Sequence, residues 1–243
     1  MASEDYNVEA AGRCAVELAD PIERLFALVT GVGAAMATVC ETAFAAGDPL
    51  TSRDLDVLSS PILSALASDR LPVGIGVVVD PGLLIDETHY LEWLQRDTSG
   101  TPVPLLLDLD PASDDRYDYP EMEWFRVPKE ERRRMVGGPY FDYRGTDRYA
   151  LTLAVPVLAD GRFVGVAGAD IPLSHIEAEV LPALRRLSAR AALINHERRV
   201  VTANTPHFVT GARLQPEELA SAIQVIDVVA DLGWKLVVSA SAT

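Results

Sequence analysis

The sequence predicts an α+β fold in which long N-terminal helices precede two sets of short antiparallel strands. Three observations lead to this prediction. Apolar residues recur at helical spacing in the first 70 residues, residues 149–171 have the pattern of a β-hairpin, and a shorter group of strand-like segments follows residue 188. Short antiparallel strands mixed with helices indicate this class rather than a series of βαβ units.

The N-terminal helices are recognised by their spacing and by their ends. Asp20 and Pro21 have the residue types of an N-cap and a first helical position, and Gly47 to Pro49 is typical of a helix end. A second helix is predicted over residues 52–68, and Pro61 could kink it. The Ala- and Gly-rich face of these helices would permit close approach in a homodimer.

The middle of the chain is dominated by strand patterns. Strands are predicted over 73–79, 89–95, 102–109, 149–157 and 162–171, and helices over 129–135 and 173–187. The last two strands form the clearest hairpin, because Leu158 to Gly161 has the composition of a tight turn.

A second, smaller set of elements follows. Strands are predicted over 191–195, 200–203 and 234–238, with a helix over 216–223. The chain is therefore divided into an N-terminal helical spine (1–70), a first antiparallel-sheet subdomain that would hold the ligand (71–188) and a smaller second subdomain (189–243).

Composition and charge exclude several classes of function. The chain of 243 residues has a formal net charge of −15, which disfavours binding to nucleic acid or to an anionic membrane surface. The acidic N-terminus lacks a secretory signal, and the apolar stretch 25–40 is too short to span a bilayer. A cytoplasmic protein without a membrane segment is therefore expected.

No cofactor or metal site is predicted. The four histidines are scattered without metal-ligand spacing, and the glycines of the strand-like runs lack the context of a dinucleotide-binding loop. Cys14 and Cys40 are not part of a CxxC pair, and both are expected to be free, partly buried thiols.

The candidate binding site lies between residues 117 and 171. Aromatic residues cluster there, and two aspartates, Asp142 and Asp170, would approach one another at one end of the sheet if the hairpin forms. Aromatic faces and carboxylates together can enclose a cation. Two alternatives stay open: the aromatic residues could simply form core, and Asp142 and Asp170 could hold a turn and cap a helix.

The same region resembles the ligand-binding core of double Cache sensor domains, which are PAS-like. The resemblance is carried by four motifs: W-F-x-x-P at 124–128, G-P-Y-F-D-Y at 138–143, Y-A-L-T-L-A-V-P-V at 149–157 and G-R-F-V-G-V-A-G-A-D-I at 161–171. Weaker matches at 192–201 and 232–237 are similar to parts of the family's second subdomain. The resemblance implies two PAS-like Cache subdomains after a helical spine, and ligand binding without catalysis.

Members of this family that bind amines or amino acids have a recognisable pocket motif. The resemblance implies that the corresponding residues here are Tyr117, Trp124, Phe125, Tyr140, Asp142 and Asp170. Met122 stands where the family has an arginine that would hold the ligand carboxylate. The resemblance therefore implies an amine, or an amino-acid-like ligand whose acid group is held elsewhere, with Arg126 and Arg148 as outside candidates.

Double Cache domains usually lie outside the cell between two transmembrane helices. Since neither those helices nor an output domain is recognised here, we expect a free-standing sensor that signals to a separate regulatory protein. Two other functions remain as alternatives: a hydrolase that uses Asp142 and Asp170 as acid and base, and an interaction module without a ligand.

Overall fold

The computed structural model confirms the α+β class. It describes residues 2–110, 112–142 and 148–240, and the side chains of residues 2–7, 141, 142 and 148 lie outside that description. The chain forms two compact units. One comprises 26–138 and 151–172, and the other comprises 1–25, 139–150 and 173–243.

The first helix, α1, is longer than predicted. It runs from Ala2 to Ala46 and contains Pro21 in its interior, so the predicted start at Pro21 is wrong. A buried apolar stripe explains the difference, since it begins upstream of the proline with Ala11, Cys14 and Leu18. Packing of that stripe offsets the cost of about 3 kcal/mol that an interior proline imposes on a helix. The predicted helix end at Gly47 is confirmed.

By length and composition alone, the segment Val8–Ala46 of α1 qualifies as a helix that could cross a membrane. The core helix of a soluble protein passes the same test. The expectation that this protein has no membrane segment therefore stays a prediction, as does its location in the cytoplasm.

The region predicted as a second helix folds as two joined pieces. A 3-10 helix spans Ser52–Leu58 and continues into α2, Ser59–Ser68. The start of the 3-10 helix is fixed by two carboxylates. Asp54 accepts hydrogen bonds from the backbone and hydroxyl of Thr51, and Asp86 accepts them from Ser52.

The first sheet has six antiparallel strands in the order β3-β2-β1-β6-β5-β4. Their bounds are β1 Gly74–Val79, β2 Leu91–Arg96, β3 Pro102–Pro104, β4 Met135–Asp142, β5 Arg148–Ala159 and β6 Arg162–Pro172. The predicted β5–β6 hairpin is confirmed. Asp160 and Gly161 both have positive φ (50° and 77°), as a two-residue turn of a hairpin requires.

The helix predicted over 129–135 lies elsewhere. Helix α3 runs from Glu123 to Glu131 and is followed by Arg132 in a left-handed conformation, with φ of 55°. It forms there because the helical spacing of Phe125, Val127 and Pro128 buries one face of the segment. Met135 begins strand β4, which the sequence pattern did not reveal.

The two faces of the first sheet have different neighbours. On one face, α1 packs closely, since a Cβ on Gly33 would lie 3.2 Å from both Ala167 and Val157. On the other face, a cluster that includes Trp93, Tyr119 and Phe125 covers the strands. The candidate site lies on this second face, away from α1.

The second sheet has four antiparallel strands in the order β8-β7-β10-β9. The elements of this part of the chain are α4 Leu173–Arg185, β7 Arg190–Ile194, β8 Val200–Ala203, α5 Pro216–Ala220, β9 Gln224–Val229 and β10 Trp234–Ser239. Strand β9 was not predicted, and in the structure only Val229 of this strand is buried. A separate apolar cluster, which includes Phe208, Leu214 and Val237, covers one face of this sheet.

Candidate functional site

Asp170 lies on strand β6, near the centre of the first sheet. It pairs with Gly74 across the β1–β6 ladder, and its carbonyl accepts a hydrogen bond of 2.9 Å from the Val73 amide. The strand continues to Pro172 before α4 begins at Leu173. Asp170 is therefore not the N-cap of that helix, and the capping alternative is wrong.

The side chain of Asp170 is held by a buried threonine. The hydroxyl of Thr152, on the neighbouring strand β5, donates a hydrogen bond of 2.7 Å to Oδ1 of Asp170. Thr152 is only 4% exposed, whereas Asp170 is half-buried. Hydrogen bonds to an ionised carboxylate are stronger than neutral ones, so this contact fixes the carboxylate on one face of the sheet.

Three glycines form a trough on the same face. Gly74 and Gly76 lie on β1, and Gly168 lies on β6, two residues before Asp170. Residues directly opposite each other in an antiparallel ladder point to the same face, so Gly74 and Asp170 share one. Without side chains at these three positions, another group can lie directly on the sheet.

The group that lies in this trough is the indole of Trp93, from strand β2. A Cβ on Gly74 would stand 2.6 Å from the Nε1 atom of Trp93. A Cβ on Gly76 would stand 3.0 Å from Cε3 of the indole, and one on Gly168 would stand 3.4 Å from Cη2. The ring therefore lies at the height at which side chains would otherwise begin, and its Nε1 edge is next to the Gly74–Asp170 pair.

Aromatic residues of the segment before α3 and of α3 itself join the same cluster. The ring of Tyr119 lies 5.1 Å from that of Phe125 and 6.5 Å from that of Trp124, centroid to centroid. The hydroxyl of Tyr119 donates a hydrogen bond of 2.8 Å to the carbonyl of Val79, and burial raises its pKa far above the ordinary value. Tyr119 is thus a neutral core residue that attaches this segment to the end of β1.

The five predicted site residues other than the two aspartates differ in how far they are buried. Tyr117 and Trp124 are partly buried and pack against the Trp93 cluster, while Phe125 is wholly buried within it. Met122 immediately precedes α3 and is 37% exposed. Tyr140 lies on β4 and is 39% exposed.

Asp142 also lies on β4, but its side chain is outside the described residues. The predicted approach of Asp142 to Asp170 therefore stays a prediction. Of the two outside candidates for a ligand carboxylate, Arg126 is exposed and forms an ion pair of 3.3 Å with Glu130 on α3. The side chain of Arg148 lies outside the described residues.

Thr152 was not predicted from the sequence, and the sequence around Trp93 favoured core packing over a place in the pocket. The alternating glycines at positions 74 and 76 were the available signal, because glycines on one face of a strand mark a place where another group approaches closely. Among the described residues, no group of three or more His, Cys, Asp or Glu could hold a metal ion.

Comparison with known proteins shows that this chain shares its fold with sensor domains of the PDC/Cache type. Residues 64–178, a little under half of the chain, match the family model described as the first PDC sensor domain of methyl-accepting chemotaxis protein-like proteins. The matched range contains Trp93, Thr152 and Asp170.

One curated relative matches part of the chain. Over 56 residues, this chain is 41% identical to the methyl-accepting chemotaxis protein TlpQ of Pseudomonas aeruginosa. The alignment covers 23% of this chain and 8% of that receptor, so the chain corresponds to a small part of the length of its relative.

Solved structures share the fold over nearly the whole chain. The sensory domain of the Campylobacter jejuni chemoreceptor Tlp3 matches with a TM-score of 0.70 and 11% identity, over 99% of this chain and 94% of that one. The methyl-accepting chemotaxis protein X matches with a TM-score of 0.64 and 15% identity, over 96% of each chain. A structure of the Tlp3 domain with isoleucine bound matches with a TM-score of 0.66 and 12% identity, over 99% of this chain and 93% of that one.

Proposed function

We propose that this domain is a non-enzymatic sensor that binds a small amine, or an amino-acid-like cation, at Asp170. The observation that carries the proposal is the half-buried carboxylate of Asp170, held by Thr152 beside an aromatic surface. An ammonium group binds such a carboxylate through charge-assisted hydrogen bonds, which are stronger than neutral ones.

The aromatic residues around Asp170 suit the same ligand. The indole of Trp93 lies on the face from which Asp170 projects, and the partly buried Trp124 packs against the same cluster. A cation over an aromatic face is stabilised by about 0.5–2 kcal/mol, more when it is desolvated. The combination of charge and ring favours an alkylammonium group over a neutral ligand.

An amine is a better candidate than a standard α-amino acid. Met122 occupies the position at which the resemblance implies an arginine for the ligand carboxylate, and Arg126 is exposed and paired with Glu130. The Tlp3 sensory domain has been solved with L-valine and with isoleucine bound, which supports a ligand of this general size for the fold. Methionine provides no positive charge for an acid group.

The remaining parts of the proposal concern signalling. We infer that binding is passed to a separate regulatory protein, and that two copies of the chain associate through their N-terminal helices. A ligand can shift a conformational equilibrium only by its difference in affinity for the two states. The packing of α1 on the opposite face of the ligand-binding sheet, through Gly33 and Met36, is a contact that such a shift could change.

Thermal-shift screening tests the proposal. The purified protein is screened against primary amines and α-amino acids, and hits are repeated with Asp170→Asn and Asp170→Ala. We expect amines to raise the melting temperature of the wild type and neither Asp170 variant to respond. Asp227→Asn, which removes an exposed carboxylate from the second sheet, is the control and should respond like the wild type. A full response in Asp170→Asn contradicts the proposed site.

A further inference from the structure

We infer that Trp93 determines which ligands this domain accepts, by filling the glycine trough beside Asp170. The inference rests on the proposed function and adds a limit on the size of the ligand. It concerns the part of the ligand that lies next to its ammonium group, because the trough begins at the residue that pairs with Asp170.

Above Gly74 the trough would be open without the indole, whereas backbone carbonyl oxygens also lie close to Gly76 and Gly168. Gly74, Gly76 and Gly168 contribute no side chain to this face, and each would-be Cβ lies within 3.4 Å of an atom of Trp93. The same side chain thus occupies the space above all three positions. A residue with a short side chain at position 93 would leave the backbone next to Gly74 exposed to a bound ligand.

The position of the indole relative to Asp170 connects the trough with ligand binding. Gly74 faces Asp170 across the ladder, and its Cβ would lie 2.6 Å from Nε1 of Trp93. An ammonium group that contacts Asp170 therefore lies on the same face of the sheet as the indole. Carbon atoms attached to that ammonium cannot enter the space above Gly74, since the indole fills it.

The burial of Trp93 makes this limit a rigid one. The residue is 7% exposed and belongs to the cluster that contains Tyr119 and Phe125, both wholly buried. Well-packed side chains give way reluctantly to added volume. The wild-type site should therefore favour ammonium compounds with a slender carbon chain and discriminate against those with a ring close to the nitrogen.

A comparison of two probe amines tests the inference. Dissociation constants of butylamine and benzylamine are measured by calorimetry for the wild type, Trp93→Val, Trp93→Phe and Asp170→Asn, after circular dichroism has confirmed folding. We expect Trp93→Val to improve the affinity for benzylamine relative to butylamine by roughly tenfold or more, as pocket volume typically does. Trp93→Phe, which leaves the space above Gly74 partly open, should give a smaller change in the same direction and replaces the valine variant if that one does not fold.

The outcomes separate the inference from the proposed function. If Asp170→Asn loses butylamine but both Trp93 variants keep the wild-type ratio of the two amines, the role of Trp93 is refuted and the site at Asp170 stands. If Asp170→Asn binds butylamine as the wild type does, or the wild type binds neither amine, the proposed function fails and the inference fails with it.

Discussion

The hydroxyl of Thr152 donates a hydrogen bond of 2.7 Å to the carboxylate of Asp170, across two neighbouring strands of the first sheet. The threonine is buried and the aspartate is half-buried, so the contact orients a charge at the edge of the apolar cluster. A carboxylate has about four lone-pair positions for donors. The bond from Thr152 uses one of these positions on Asp170.

The first prediction concerns this hydrogen bond. Thr152→Val should weaken binding of the best amine from the thermal-shift screen roughly tenfold, because a hydrogen bond to a charged group is worth at least about 1.5 kcal/mol. Thr152→Ser keeps the hydroxyl and should bind like the wild type. Calorimetry of both variants checks this, and equal affinities for serine and valine would show that the hydroxyl does not position Asp170.

The second prediction is that Gly74 and Trp93 are energetically coupled. Gly74→Ala should lower the free energy of unfolding by about 1–3 kcal/mol in the wild type, since its Cβ would collide with the indole. In a Trp93→Ala background the same change should be neutral or stabilising, because alanine is preferred to glycine in a strand. Urea denaturation of the four proteins gives the coupling energy.

Gly76, two residues after Gly74 on β1, provides a matched control. A Cβ on Gly76 would lie 2.2 Å from the backbone carbonyl oxygen of Glu92, which cannot move aside as a side chain can. Gly76→Ala should therefore destabilise the protein in both backgrounds. If Gly74→Ala lowers the free energy of unfolding equally with and without Trp93, the indole does not fill the trough.

The third prediction compares the two lysines of the chain. Lys129 on α3 forms an ion pair of 2.6 Å with Asp80, and its ammonium lies 6.0 Å from the ring centroids of Phe125 and Phe163. Lys235 pairs with Asp227 in an exposed position on the second sheet. We expect Lys129→Met to lower the free energy of unfolding by about 1 kcal/mol, from the combined ion pair and ring contacts, and Lys235→Met by less than about 0.5 kcal/mol.

Chemical denaturation at low and high salt checks the comparison. Lys129→Met also removes the ion pair between α3 and the residue that follows β1, so this variant should weaken amine binding whereas Lys235→Met should not. Equal losses of stability in the two variants would indicate that Lys129 contributes no more than an ordinary surface charge.

The fourth prediction concerns the two buried thiols. Burial is the main cause that raises the pKa of Cys14 and of Cys40 from 9.0 to about 11. The folded protein then holds more protons than the unfolded chain above pH 9, so stability is complete below that pH and declines as the pH rises towards 11. The free energy of unfolding should fall by about 2–3 kcal/mol between pH 8 and pH 10.

Two measurements check the thiols. A thiol reagent should modify neither cysteine of the folded protein at pH 8 and both in denaturant. The variant that carries Cys14→Ala and Cys40→Ala should lose most of the decline in stability with pH. Rapid modification of the folded wild type would mean that the thiols are more accessible than their burial indicates.

Local signals predicted the parts of the fold that depend on short stretches of chain. The β5–β6 hairpin followed from its turn residues, and α1 followed from its apolar stripe. The extension of α1 through Pro21 was not predicted, because only tertiary packing compensates for a proline inside a helix. Strand β4 was missed since Gly137, Gly138 and Pro139 interrupt any strand pattern.

The candidate site was predicted only in part, for a related reason. Asp170 stood out as a charge at the end of an apolar run, but its partner Thr152 depends on the register between β5 and β6. The place of Trp93 depends on the pairing of β1 with β2, which are separated by 11 residues that fix no register. Long-range pairing decides such contacts, and composition does not reveal it.

The central claim is that Asp170 receives the positive charge of a small ligand. The most direct measurement is a crystal structure of the protein with the best amine from the screen. We expect the ammonium nitrogen within about 3 Å of a carboxylate oxygen of Asp170, with its carbon chain over the indole of Trp93. An amine bound elsewhere, with the Asp170 carboxylate remote from its nitrogen, would contradict the account.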